Sequence, residues 1–365
     1  MRSPVFSIRA LALLVVVVLV ASVTSVASAE DHDGSRLGEY PFVTPVFGLS
    51  NGPAGHGVLV ADAGAGVVKL NADGGRLVAE LPGVADMQPK GRFNMLAVAA
   101  EPPETEVDPP GIAHLFRIDR RSDRVIPIAN LTRFEARKNP DGGEIDSNPF
   151  HLTSRRHLAY VADAGGNSIV VVNTRTRRMN WVATLPEQMA STQFIKDLLE
   201  CPNPELPPDQ AEVCDLPPTI PAQPVPTAVE IGPDGAFYVS ELVGFPATPG
   251  LSRVWRIERG TRHAECGTDP RCSVVLEGFT SIIDLGFDRQ GRLLVAEMDE
   301  NGWQAAEVEL GIGGTVNRCH LPSRTCRVLA TELPLLTSVV PRKHGRVLAS
   351  INALIPGMAE VVRVN

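Results

Sequence analysis

Apolar residues in this chain gather in short unbroken runs and do not alternate with polar ones. Ile169-Val170-Val171-Val172 and Leu293-Leu294-Val295 are examples, and turn-forming residues bound them. Such runs between turn formers predict strands. Val, Ile and Leu side by side predict strands covered on both faces. Helical periodicity is scarce. Met189 to Glu200 places Phe194, Leu198 and Leu199 on one face and predicts a single amphipathic helix.

One run comes back with variations. Val60-Ala61-Asp62-Ala63-Gly64 is repeated at Val161 to Gly165, which continues Gly166-Asn167. Looser copies are Val239-Ser240-Glu241, Val295-Ala296-Glu297 and Leu348-Ala349-Ser350, each shortly after a Gly-containing turn. Self-similarity at this spacing signals a repeat architecture. Six repeats follow: Val58 to Leu81, Phe93 to Leu131, Asn148 to Leu185, Val225 to Leu276, Ile282 to Leu333, and Thr337 to the end. The predicted fold is all-β, a six-bladed β-propeller of four-stranded antiparallel blades over residues 42–365. The last repeat stops after three strands, and Phe42 to Val46 is the spare segment that can supply its outer strand. Closing the ring in this way removes an exposed edge. An open solenoid is the alternative, but no capping repeats are seen.

Residues 1–29 read as a signal peptide: Arg2 and Arg9, an apolar run from Ala10 to Val23, then Ala27-Ser28-Ala29. An uncleaved anchor is the alternative. Ser22, Thr24 and Ser25 break the apolar end and favour cleavage, which would leave residues 30–41 as a lead-in and no membrane span. The six cysteines fall into three local couples: Cys201 with Cys214, Cys266 with Cys272, and Cys319 with Cys326. Their spacings suit disulfides of a secreted or extracytoplasmic protein better than a metal site, because none is C-x2-C. Loss of Arg2 and Arg9 with the first 29 residues takes the formal charge from −8 to −10. Acidity of this kind excludes nucleic acid as the expected partner.

Two insertions interrupt the repeats. Glu101 to Gly111 is acidic and Pro-rich, and residues 187–223 hold seven prolines and one cysteine couple. Long loops in a compact domain are binding loops or surface decoration.

Three stretches carry a family resemblance. Asn139 to Phe150 reads N-P-D-G-G-E-I-D-S-N-P-F. Val225 to Gly250 reads V-P-T-A-V-E-I-G-P-D-G-A-F-Y-V-S-E-L-V-G-F-P-A-T-P-G. Gly278 to Phe287 reads G-F-T-S-I-I-D-L-G-F. Together they resemble the ScyD/ScyE family of exported bacterial proteins, itself similar to NHL-type six-bladed propellers. Asp288-Arg289-Gln290-Gly291 departs from the G-P-D-G turn of that pattern. The resemblance implies the propeller fold and export. It assigns no reaction and no catalytic residues.

The usual catalytic motifs are absent. Gly48-Leu49-Ser50-Asn51-Gly52 matches G-x-S-x-G, but a turn and another strand are expected after it, not the helix a nucleophile elbow needs. Asn130-Leu131-Thr132 is a glycosylation sequon, and Asn167 is expected to shape a turn. The repeats offer a different constellation. Asp62, Glu101, Asp163, Glu241, Glu297 and Ser350 end equivalent strands, and Asn148, Thr227, Asp284 and Ser338 fall near the innermost ones. From these, Asn148, Thr227, Glu241, Asp284 and Glu297 are the expected binding residues at the channel mouth. Carboxylates there suit a hard cation such as Ca2+, with Glu241 and Asp284 as its expected ligands. Acids that merely bond the backbone of their own turns are the alternative. Two functional classes remain open: a binding or scaffold module for a small molecule or protein, and a Ca2+-assisted, lactonase-like hydrolase.

Overall fold

The computed structural model describes residues 37–91, 93–100, 113–307 and 310–364. The proposed signal peptide and Glu101 lie outside these residues. Six antiparallel sheets follow one another along the chain as the blades of a β-propeller. Blade one holds Val46–Asn51, Val58–Asp62, Gly66–Asn71 and Gly74–Glu80, paired in that order from hub to rim. Blade two runs from Val84–Lys90 to Arg124–Asn130, blade three from Pro149–Arg155 to Met179–Thr184, and blade four from Val229–Ile231 to Cys272–Phe279. Blade five runs from Ile282–Phe287 to Thr325–Leu333. Blade six pairs Ser338–Pro341, Val347–Ile351 and Glu360–Val364.

The unbroken apolar runs now have a physical reason. In Val58–Asp62 every residue is buried. Val58 and Val60 pack toward blade six with Val340 and Leu348, while Leu59 and Ala61 pack toward blade two with Met87 and Met95. Successive side chains of a strand point to opposite faces. Both faces are interior here, so polar alternation is lost.

An N-terminal strand closes the ring, but at the hub and not at the rim. Val46–Asn51 is the innermost strand of blade one, and it meets the innermost strand of blade six. Across this seam Val46 donates its N–H to Ala353 O at 2.8 Å, Leu49 N–H donates to Ser338 Oγ at 2.9 Å, and Thr337 Oγ donates to Val46 O at 2.7 Å. Residues 37–45 do not join the ladder of blade six. Pro41 and Pro45 have no N–H to give, and the N–H groups of Val43 and Thr44 go to the Asp62 carboxylate at 2.8 and 3.0 Å. Leu37 and Phe42 instead pack side by side with Leu70, Leu348 and Ala359, covering the seam with side chains.

All three cysteine couples are disulfides. Cys319 and Cys326 face each other across the third and fourth strands of blade five. Cys266–Cys272 secures an arm whose residues Ala264–Glu265 pair in parallel with the outer strand of blade three. Cys201–Cys214 lies within the long insertion. The helix expected there is shorter than its pattern: Gln188–Ser191 is a strand paired with Thr219–Ala222, and only Gln193–Leu198 is helical. In Asp288-Arg289-Gln290-Gly291 the acid has moved to the first turn position. It still accepts from Gln290 and Arg292 N–H, as Asp234 does from Ala236 in the G-P-D-G turn.

Candidate functional site: the hub and the loop face

Antiparallel blades place two kinds of connection on one face of the ring: those from the second to the third strand, and those from an outer strand to the next innermost one. Except for the 258–271 connection of blade four, which carries the Ala264–Glu265 arm on the opposite face, the long insertions of the described residues fall into these two kinds. They are residues 131–148, 186–226, 242–251, 298–313 and 352–359. We call this the loop face. Most connections on the opposite face are short turns, such as 232–236 and 288–292.

The acids that end the second strands lie at the loop face. Asp62 accepts from Val43, Thr44 and Gly64 N–H. Asp163 accepts from Ser147 Oγ at 2.7 Å and from the N–H of Asn148 at 2.7 Å, and Glu297 accepts from Thr280 N–H at 2.6 Å and Asn317 Nδ2 at 2.7 Å. Each of the three ties down the segment that enters its own blade. Glu241 is saturated differently. Its carboxylate receives Arg253 through Nε at 2.9 Å and Nη2 at 2.8 Å, Trp255 Nε1 at 2.6 Å and Gln188 Nε2 at 2.7 Å. Burial raises the pKa of Glu241 and carries that of Glu297 to about 8 and of Asp163 to about 6, against the pull of these bonds. In blade two the equivalent position is Ala99, because Val84 pairs with Ala99 as Ile282 pairs with Glu297. Thr227 Oγ bonds Ser240 Oγ at 2.8 Å and donates to Ile282 O at 2.7 Å, joining blades four and five.

Asp284 is placed elsewhere, at the hub. Its Oδ2 accepts from Ser338 Oγ at 2.6 Å and Val339 N–H at 2.8 Å, both from blade six. Its Oδ1 lies 3.5 Å from His151 Nε2, and the same nitrogen lies 3.8 Å from Asp86 Oδ2. Blades two and five are opposite one another in a six-membered ring. His151 therefore lies between carboxylates from both sides of the hub. Among the described residues Glu241 and Asp284 share no hydrogen-bond partner. Asp86, His151 and Glu230 were not anticipated. For Asp86 and His151 the signal was present as a short register: Asp86-Met87, His151-Leu152 and Asp284-Leu285 stand at the same place in three first strands, with Gly48-Leu49 in a fourth. Gly48 is small for a reason, since a Cβ there would stand 2.4 Å from Asp86 Oδ1.

His151 Nδ1 accepts the N–H of Val229 at 3.3 Å, which leaves the ring proton on Nε2, toward the carboxylates. Burial lowers its pKa to about 4. Burial raises Asp284 to about 7. Glu230 rises to about 8 through burial and then the charge of Asp284, and Asp86 rises well above the carboxylate range for the same two reasons. The signs decide a pH dependence. A carboxyl with a raised folded pKa stabilises the fold below its unfolded pKa near 4, and that contribution is lost as pH rises through the folded value. His151 acts oppositely, losing stability as pH falls from about 6.5 toward 4. The carboxyls outnumber the single imidazole. Thermal melts in EDTA should therefore give a midpoint several degrees higher at pH 5 than at pH 8. Equal midpoints would show that these groups are hydrated and ionised.

A scan against protein-family models finds no match, and a search of curated proteins finds none. Among solved structures, a glucose dehydrogenase superposes with a TM-score of 0.53 at 12% identity, over 88% of this chain and 97% of its own. Another glucose dehydrogenase structure gives 0.52 at 12% identity, over 88% and 96%. A streptogramin B lyase gives 0.50 at 10% identity, over 92% and 89%. At such identities the likeness establishes the β-propeller fold and nothing about the reaction.

Proposed function

We propose that this protein is an exported propeller of the ScyD/ScyE kind that serves as a binding scaffold, taking a protein partner on its loop face. The observation that carries this is the placement of exposed apolar side chains. Val43, Ile145, Met189, Leu310, Ile312 and Met358 are 47–60% exposed, and each lies on a loop or hairpin of that face. Exposed apolar groups gathered on one surface mark an interaction site. Their spread from blade one to blade six suits a broad protein surface more than a small ligand. Export is supported by the three disulfides. No helix of the described residues is long and apolar enough to cross a membrane.

The hub is arranged less well for hydrolysis. Asp284 stands between Ser338 and His151, accepting from the one and facing Nε2–H of the other. Acyl transfer needs the imidazole to touch the hydroxyl. This order leaves His151 unable to take the Ser338 proton.

The test compares two sets of variants. Ile145→Ser, Leu310→Ser, Ile312→Ser and Met358→Ser together change the loop face. Leu77→Ser with Val328→Ser changes exposed apolar residues on the blades' outer strands. A partner identified by crosslinking the mature protein in its own compartment should bind the outer-strand variant like wild type. It should bind the loop-face variant at least tenfold more weakly. Equal binding to both variants would remove the loop face from the function.

A further inference from the structure

The connection between blades two and three holds a buried acid that no hydrogen bond explains. The helix Leu131–Lys138 begins with Asn130, whose Oδ1 accepts from Arg133 N–H at 2.6 Å. That cap fixes the helix so that Phe134 and Glu135 turn inward; Phe134 packs near Trp181, with ring centroids 6.4 Å apart. Glu135 is fully buried, and neither of its carboxylate oxygens has a hydrogen-bond partner. A buried, unpartnered carboxylate is costly and demands an account.

Its surroundings are acidic. Asp141, Asp146 and Asp163 lie close enough to act on it electrostatically, and no ion pair with Lys, Arg or His serves any of the four among the described residues. Burial and then the charges of Asp163, Asp141 and Asp146 push the Glu135 pKa up to about 8. The Gly165-Gly166 turn gives these acids room. A Cβ on Gly166 would stand 2.9 Å from Glu135 Oε2 and 3.4 Å from the backbone oxygen of Asp146, and one on Gly165 would stand 2.9 Å from Asp146 Oδ2. Neither glycine has a positive φ, so space and not backbone conformation requires them. Asp163 and Asp141 are already engaged, by Ser147, Asn148 and Gly166 in one case and by Gly143 and Asn167 in the other. Among the described residues no other side chain engages Glu135 or Asp146 by a hydrogen bond or ion pair.

We propose that this turn is a Ca2+ site, with Glu135 as the buried ligand, Asp146 as the ligand on the solvent side, and the Asp146 carbonyl beside them. The donors are all oxygens, with no imidazole or thiolate, which suits Ca2+ and not a transition metal. Asp146 is exposed, which gives the ion a way in. The ion has to draw the ligands together, because among the described residues no three acidic or other metal-binding side chains already converge on one point. Binding would fix the loop from Asn139 to Ser147 against blade three. The site shares its loop with Ile145 of the loop face, but it does not depend on the partner-binding reading and can be tested without a partner.

The experiment uses the full mature chain, stripped with EDTA and melted with and without CaCl2. At a hundredfold excess over its dissociation constant, Ca2+ should raise the midpoint by about 5 °C. Asp146→Asn, an exposed substitution that leaves the fold intact, should weaken Ca2+ binding at least tenfold, and Glu135→Gln should abolish the rise. Tb3+ offers a second readout, since Trp181 beside Phe134 is placed to sensitise its emission, and Ca2+ should quench that signal by competition. No rise in wild type, or a rise that survives both substitutions, would overturn the site. An equal rise with Mg2+ would overturn the choice of ion.

Discussion

A protein that begins at Gly48 should lose most of its stability. Leu37, Phe42 and Val46 are 7%, 5% and 1% exposed, and all three pack in the seam between the first and last blades. Burial of three such side chains contributes about 6 kcal/mol, against a total of about 5–15 kcal/mol for an ordinary domain. The truncation also takes the Val43 and Thr44 N–H groups from the buried carboxylate of Asp62, leaving it only Gly64. Urea unfolding followed by circular dichroism measures the loss. Phe42→Ala, expected to cost about 3 kcal/mol, gives the same information in a chain that still folds. A truncated protein that melts with the intact one would mean that the seam is held by the hub strands alone.

Alanine at Glu241 is expected to cost about 3–5 kcal/mol, the usual loss when one partner of a buried ion pair is removed. Glu241 is fully buried, and its two oxygens are shared among Arg253, Trp255 and Gln188. Removal leaves a guanidinium and an indole N–H without their carboxylate acceptor, while the Gln188 amide keeps only Leu251 O at 3.1 Å. Glu241→Gln should cost less, since one oxygen remains to accept, and the difference between the two variants isolates the cavity from the charge. Because Gln188 belongs to the long insertion, the alanine variant should also become more sensitive to proteolysis between residues 187 and 223. A loss below about 1 kcal/mol would mean that Arg253 finds water instead.

Much of the ring was legible in the chain. The copies of V-A-D-A-G marked the second strands because each must be apolar on both faces and then end in a residue that bonds the blade's entry. The cysteine couples were legible for a related reason: each closes a short loop, so sequence proximity is spatial proximity. The first strands of blades one and two were harder to see. Val84–Lys90 contains Asp86, Gln88, Pro89 and Lys90, and it reads as a loop until its place at the hub is known. There polar side chains can bond the next blade, as Asp86 does with Leu152 N–H at 2.8 Å.

Local pattern by itself determined the all-β class, the sixfold repetition, the local disulfides and the acids at the strand ends, because each rests on residues a few positions apart. Only the closed ring decided which acids meet. Asp86 and Asp284 are 198 residues apart in sequence and both reach His151, while Glu241, aligned with Glu297 in the repeats, turns into its own blade. The loop face was likewise a product of closure. Strand direction sends most of the long insertions to the same side, and with them the apolar groups that the sequence scatters from Val43 to Met358.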